Sequence, residues 1–203
     1  MQAIPFKSGE IRNLTSLGLD PKFFKFNVTH LESERYISLR DVDQNGTPQL
    51  TVIELFNNFN LVKRPGAKVD GSIMHLKENI VALKAPMEGG KGHILQIFNM
   101  DKKQKLVNLE FQDNIVFWRW VDQEILAVVT SNSVFHVSLS SPEKETKIFD
   151  RSGELKEGQV IGYVLGPDRK WAALYAISTP DGGQTINGHI QLYLIEGGKQ
   201  QML

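Results

Sequence analysis

There is no cysteine in this chain, which removes disulfides and thiolate metal sites from consideration and fits a reducing compartment. Excess charge of either sign is missing as well: Lys plus Arg and Asp plus Glu both come to 23, so the formal net charge is zero. A nucleic-acid-binding surface normally carries surplus positive charge to displace counterions, so that class is disfavoured and any electrostatic selectivity has to be local. Long apolar runs are absent. The strongest, Ile125 to Val129, is far shorter than the roughly 20 residues with which a helix crosses a bilayer. Met1 to Leu17 also lacks the apolar stretch of a secretion signal. The triplets Asn13-Leu14-Thr15 and Asn27-Val28-Thr29 are therefore read as chance matches to a glycosylation pattern, and the chain is expected in the cytosol, with no direct membrane insertion. Sustained helical periodicity is missing too, while Asn45-Gly46, Pro65-Gly66, Gly89-Gly90 and Asp181-Gly182-Gly183 punctuate the chain as turns. Only Asn13 to Asp20 leaves room for a turn of helix or an irregular lead-in loop.

What is present is an ordinary globular composition, 41% hydrophobic and 23% charged over 203 residues, organised as a repeat. Arg35 to Leu39 returns in character as Asn79 to Leu83, Glu124 to Val128 and Lys170 to Leu174. The last residues of these copies, Leu39, Leu83, Val128 and Leu174, lie 44, 45 and 46 positions apart. Before each copy stands a candidate strand: Phe26 to Thr29, Ser72 to His75, Ile115 to Trp118, Gln159 to Tyr163. After each stands another: Leu50 to Leu55, His93 to Phe98, Ser133 to Leu139, His189 to Ile195. A weaker, more polar one follows: Asn60 to Lys63, Lys105 to Asn108, Thr146 to Phe149, Gln200 to Leu203. Four-stranded units of roughly 40 to 50 residues are the sequence signature of a β-propeller, whose stacked blades bury apolar faces that no single blade covers. The fold class is all-β, with about four blades. A β-sandwich with coincidental spacing is the alternative, against which the near-constant period weighs.

Residues suited to catalysis do not gather. The five histidines, His30, His75, His93, His136 and His189, are scattered without metal-ligand spacing, and each reads first as a hydrogen-bonded structural residue. Glu88-Gly89-Gly90-Lys91-Gly92-His93 lacks the spacing of a phosphate-cradling loop, and no Gly-x-Ser-x-Gly elbow is present. The better signal is local charge: Lys63, Arg64 and Lys68 cluster around the end of the first blade, and Lys102, Lys103 and Lys105 around the end of the second. Alternation places Gln96 and Phe98 on one side of a strand and Lys103 and Lys105 on one side of the next. These clusters read either as solvated lysine turns or as the flanks of one groove between adjacent blades.

Ile115-Val116-Phe117-Trp118-Arg119-Trp120, Lys147-Ile148-Phe149-Asp150-Arg151, Leu95-Gln96-Ile97-Phe98-Asn99, Val81-Ala82-Leu83-Lys84-Ala85, Ile190-Gln191-Leu192-Tyr193 and the opening Leu17-Gly18 followed by Phe26 together resemble the N-terminal propeller of clathrin heavy chains. The resemblance runs in order along essentially the whole chain. It implies a domain of seven blades, of which 1–203 would be an N-terminal part, with Ile4-Pro5-Phe6-Lys7 as a strand completing the last blade. It implies a coat protein that catalyses nothing, needs no cofactor, and sits peripherally on coated pits and coated vesicles. Its partners would be endocytic adaptor proteins, bound through acidic-hydrophobic peptides of the clathrin-box type, with clathrin light chain and self-assembly served by regions absent here. The peptide-contacting residues would correspond to Arg64, Gln96, Phe98, Lys103 and Lys105, with Leu50, Val52 and Val81 as apolar walls. A second peptide site would correspond to Phe26, Gln159 and Ile161. Gly66 and Ile94 depart from the larger aliphatic and the threonine frequent in the family. A hydrolytic propeller with a central-channel active site and a WD-type scaffold remain the rival functions.

Overall fold

The computed structural model describes residues 9, 12–26, 28–66 and 69–202. Among these residues sixteen strands form four antiparallel four-stranded sheets, each an up-and-down meander in chain order. Blade 1 holds β1 (Thr29–His30), β2 (Tyr36–Val42), β3 (Pro48–Glu54) and β4 (Asn60–Pro65). Blade 2 holds β5 (Gly71–Met74), β6 (Ile80–Pro86), β7 (His93–Asn99) and β8 (Gln104–Phe111). Blade 3 holds β9 (Ile115–Trp120), β10 (Ile125–Thr130), β11 (Ser133–Ser138) and β12 (Ser141–Asp150). Blade 4 holds β13 (Gln159–Leu165), β14 (Trp171–Ser178), β15 (Asn187–Leu194) and β16 (Lys199–Met202). The repeat marked by Leu39, Leu83, Val128 and Leu174 is thus the second strand of each blade.

Differences from the sequence reading lie at the edges. Of the expected strand Phe26 to Thr29, Thr29 enters β1 while Phe26 and Val28 do not, because the backbone NH groups of Val28 and Thr29 turn back onto the Lys25 carbonyl. Strand β12 is longer than expected, and bulges between Val134 and Phe135 and between His136 and Ser138 let its polar residues follow β11. Asn13 to Asp20 forms a 3-10 turn over Leu14–Leu17, capped by the Asn13 side chain and ended by Gly18 at φ 76°. A second turn, Pro21–Phe23, is capped by Asp20. The expected leading strand at Ile4 to Lys7 lies outside the described residues.

Burial explains why the blades stack. Leu14, Leu17, Leu19 and Phe23 of the lead-in cover Leu39 and Ile53 on one face of blade 1. Its other face meets blade 2 through Tyr36, Leu50, Val52, Met74 and Val81. Blades 2 and 3 meet through Ile73, Ala82, Leu95, Leu109, Phe111, Trp120 and Leu126, and blades 3 and 4 through Val129, Phe149, Leu155, Tyr163 and Leu174. Apolar area of this kind stabilises at about 25 cal/mol per Å² removed from water, and no single sheet here could bury it alone.

A polar latch recurs in the loop before the second strand of blades 1, 2 and 3. Ser33 Oγ accepts from the NH groups of Arg35 and Tyr36 and donates to the His75 carbonyl of blade 2 at 2.7 Å. His75 Nδ1 accepts from the NH groups of Lys77 and Glu78, so the proton sits on Nε2, which donates to the Gln123 carbonyl of blade 3 at 2.9 Å. Asp122 Oδ1 accepts from Glu124 and Ile125, and its Oδ2 accepts from the Arg169 guanidinium of blade 4 at 2.6 Å. Each loop both closes its own hairpin and fastens a neighbouring blade, which sets the register of the stack.

Candidate functional site

The stack is open between blades 1 and 2. A cavity of about 410 Å³ lies there, walled by Leu50 of β3, Val81 and Leu83 of β6, Phe98 of β7 and Met100 just beyond it. Alternation along β6 and β7 puts Val81 and Leu83, and Gln96 and Phe98, on the face turned to blade 1. Arg64 on β4 and Lys103 in the turn before β8 stand at the rim, and both are exposed. Lys103 takes a left-handed backbone conformation, φ 52°, in that turn, which Asn99 ties down by accepting from the Lys102 NH. Pairing of Phe98 with Lys105 brings the Lys105 ammonium to 6.0 Å from the Phe98 ring centroid, within reach of a cation–π contact. Gln96 Nε2 donates to Asn108 Oδ1 at 2.7 Å, orienting the amide at the cavity wall.

Leu50, Arg64, Val81, Gln96, Phe98 and Lys103 therefore surround one cavity, and Lys105 touches it through Phe98. Val52 is buried one step along β3 and lines an adjoining cavity of about 250 Å³, which shares Arg64 and Met100 with the first. Lys68 lies outside the described residues. Leu83, Met100, Pro65 and Val69 also line the site and were not singled out from the sequence. Leu83 was legible by alternation from Val81, whereas Met100 and Val69 sit outside the strands and follow no period. The second group is not assembled in this way. Gln159 and Ile161 are exposed neighbours on one side of β13, while Phe26, 103% exposed, touches neither.

Chemically, the groove offers apolar area, an amide and cations. Among the described residues no group of three or more His, Asp or Glu side chains is placed to hold a metal ion, and no helix is long and apolar enough to cross a membrane. The titratable histidines are tied into the blades: His136 Nε2 meets the Tyr163 hydroxyl at 2.8 Å, and burial pushes its pKa down to about 4.

No family model matches the chain. Among curated proteins it is 32% identical over 201 residues to clathrin heavy chain 2 of Oryza sativa subsp. japonica, an alignment covering 98% of this chain and 12% of that protein. It is 33% identical over 192 residues to the probable clathrin heavy chain of Schizosaccharomyces pombe, covering 95% of this chain and 11% of that one. The resemblance to clathrin heavy chains holds along nearly the whole chain. The chain thus spans about an eighth of the length of these relatives. Among solved structures it is similar to the β-propeller domain of the Trilobed protease from Pyrococcus furiosus, with TM-score 0.56 and 15% identity, covering 88% of this chain and 58% of that one. At that identity the likeness speaks for the propeller fold alone, and the four radial sheets are propeller blades.

Proposed function

We propose that this protein is a clathrin-type coat propeller that collects other proteins by binding short extended peptides in the groove between blades 1 and 2. The observation that carries the reading is the apolar cavity rimmed by Arg64, Lys103 and Lys105, in a chain whose charge is otherwise balanced. A peptide of alternating bulky apolar and acidic residues fits both features: its apolar side chains enter between Leu50, Leu83 and Phe98, and its carboxylates face the cations. In this reading the Gln96 amide, oriented by Asn108, hydrogen-bonds the peptide backbone. Binding of this kind is weak singly and gains avidity when many copies share one lattice. No catalysed step and no cofactor enters this reading, and endocytic adaptors on coated vesicles are the partner class it favours. Gln159 and Ile161 are proposed as the start of a second peptide site, to which Phe26 would have to be brought from its exposed turn. The four blades are further proposed to form the N-terminal part of a larger ring, a reading supported by Ile161, Val164 and Trp171 of blade 4, each about half exposed.

Calorimetric titration with a Leu-apolar-x-apolar-acidic peptide tests the central claim. Phe98→Ala is expected to weaken binding by about 2 kcal/mol, because aromatic anchors in a pocket carry much of the energy, and to do so almost independently of salt. Undiminished affinity in Phe98→Ala would remove the cavity as the binding site.

A further inference from the structure

Past Arg64 and Met100 the groove gains carboxylates. The adjoining cavity of about 250 Å³ is walled by Tyr36, Val52, Glu54, Asn79 and Asp101 and shares Arg64 with the first, so two carboxylates are added where the first cavity has only the cations Arg64 and Lys103. Glu54 accepts hydrogen bonds from Asn57 and Arg35, which hold its carboxyl below the usual carboxylate range, and the ion pair with Arg35 already balances its charge. Asp101 Oδ1 accepts from Asn79 Nδ2 at 2.6 Å, and among the described residues no Lys or Arg lies within ion-pair distance of it. Leu50, Val52 and Glu54 alternate along one side of β3, so the first cavity and the carboxylates are joined by one continuous edge. At about 3.3 Å per residue, Leu50 and Glu54 are roughly 13 Å apart, the span of about four residues of an extended peptide.

We propose that the groove is bipolar and selects extended peptides that carry, about four residues from the apolar residue seated in the first cavity, a Lys or Arg that faces Asp101 beside the Arg35–Glu54 pair. The proposal rests on the peptide-binding reading above and narrows its ligand class. Charge complementarity argues for it: a ligand that is acidic throughout would satisfy Lys103 and Lys105 but place like charges against Asp101. The cationic residue extends from one end of the peptide only, because the carboxylates occupy one end of the groove.

The test is a set of binding titrations on the protein with four labelled peptides sharing one apolar-acidic core: unextended, extended at either end with a Lys-containing segment, and extended with the corresponding Glu-containing segment at the end that responds. The Lys extension at one end is expected to tighten binding about two- to fivefold, the range of an exposed ion pair, and the Glu extension to weaken it similarly. Asp101→Asn should abolish most of the difference and Asp101→Lys should reverse it, while the unextended peptide binds all three proteins alike. Equal affinities for the Lys and Glu extensions, with the core peptide still bound, would overturn the bipolar groove and leave the peptide site standing. Failure of the core peptide to bind at all would overturn both.

Discussion

The interface between blades 1 and 2 and the interface between blades 2 and 3 are built from equivalent strands, yet one is open and the other solid. Strand pairing aligns Gly66 with Phe111, Arg64 with Leu109 and Gln96 with Phe135. At the solid interface Phe111 and Phe135 meet edge to face at 5.4 Å, and Trp120 and Leu109 are buried beside them. At the open one the corresponding positions hold a glycine, an amide and a guanidinium, and the space is the 410 Å³ cavity. Gly66 is needed for a local reason: a Cβ there would fall 2.8 Å from the Pro48 carbonyl oxygen, to which the Gly66 NH also donates. The close approach that ends β4 therefore also removes the side chain that would otherwise plug the groove. One repeat, filled or left unfilled at three positions, gives a structural joint or a binding site.

The largest effect is expected from emptying the solid interface. Trp120 is 4% exposed and lies edge-on to His75, so Trp120→Ala should cost about 3 to 5 kcal/mol in chemical denaturation. Trp118, two residues along the same strand, is only partly buried against Gly71, and truncating it should cost less. A Trp120→Ala protein with the unfolding midpoint of wild type would break the contrast between joint and groove.

The joint between blades 3 and 4 is filled with a polar pair, and acid should loosen it. His136 is held neutral by burial, with its pKa lowered from 6.5 to about 4, and burial also pushes the Tyr163 hydroxyl up. Because the unfolded chain takes up the proton first, the contribution of the neutral ring is fully present above about pH 6.5. It falls as pH drops and is lost through pH 4, a change of about 3 kcal/mol at most. His136→Gln should flatten that part of the stability profile. Parallel losses in wild type and His136→Gln between pH 7 and 4.5 would rule out this titration.

How much of this was legible in the sequence depends on the period. The second strands of the blades were visible because Val81, Ala82 and Leu83 and all their counterparts but Ser38 are apolar and recur at near-constant spacing. Alternation placed Gln96 and Phe98 on one side of their strand, whereas the grouping of Lys103 and Lys105 with them, like the wall residues Leu50, Val52 and Val81, came with the family resemblance; Lys103 in fact stands in the turn before β8 and not on a strand. The openness of the groove was not legible, because it depends on Gly66 and Arg64 facing Gln96 across two sheets whose stacking no local pattern states. The inter-blade latches through Ser33, His75 and Asp122 were hidden for the same reason: three different side chains perform one task, so no repeated letter marks them.

Filling the open interface should convert it toward the solid one. Gln96→Phe places a ring where Phe135 stands in the next blade, and is expected to raise stability by about 0.5 to 2 kcal/mol while abolishing peptide binding. A Gln96→Phe protein that still binds the apolar-acidic peptide with wild-type affinity would separate the cavity from the binding site.

The smallest effect concerns the lysines. Exposed ion pairs contribute about 0.2 to 1 kcal/mol each, so neutralising Lys103 and Lys105 with Gln should weaken peptide binding only modestly. Reversal by Lys103→Glu with Lys105→Glu adds repulsion against the peptide carboxylate, and its effect should exceed that of neutralisation. Because the Lys105 ammonium also lies over Phe98, its loss removes a cation–π contact along with the charge, so the Lys105 single variant should retain part of its deficit when salt is raised. Lys103 has no such ring contact described, and the deficit of its single variant should vanish with screening. Titrations of the two single variants at low and high salt read the difference directly. Equal affinity of wild type and the double reversal at low salt would mark both lysines as a solvated turn, and the groove would then discriminate by its apolar walls alone.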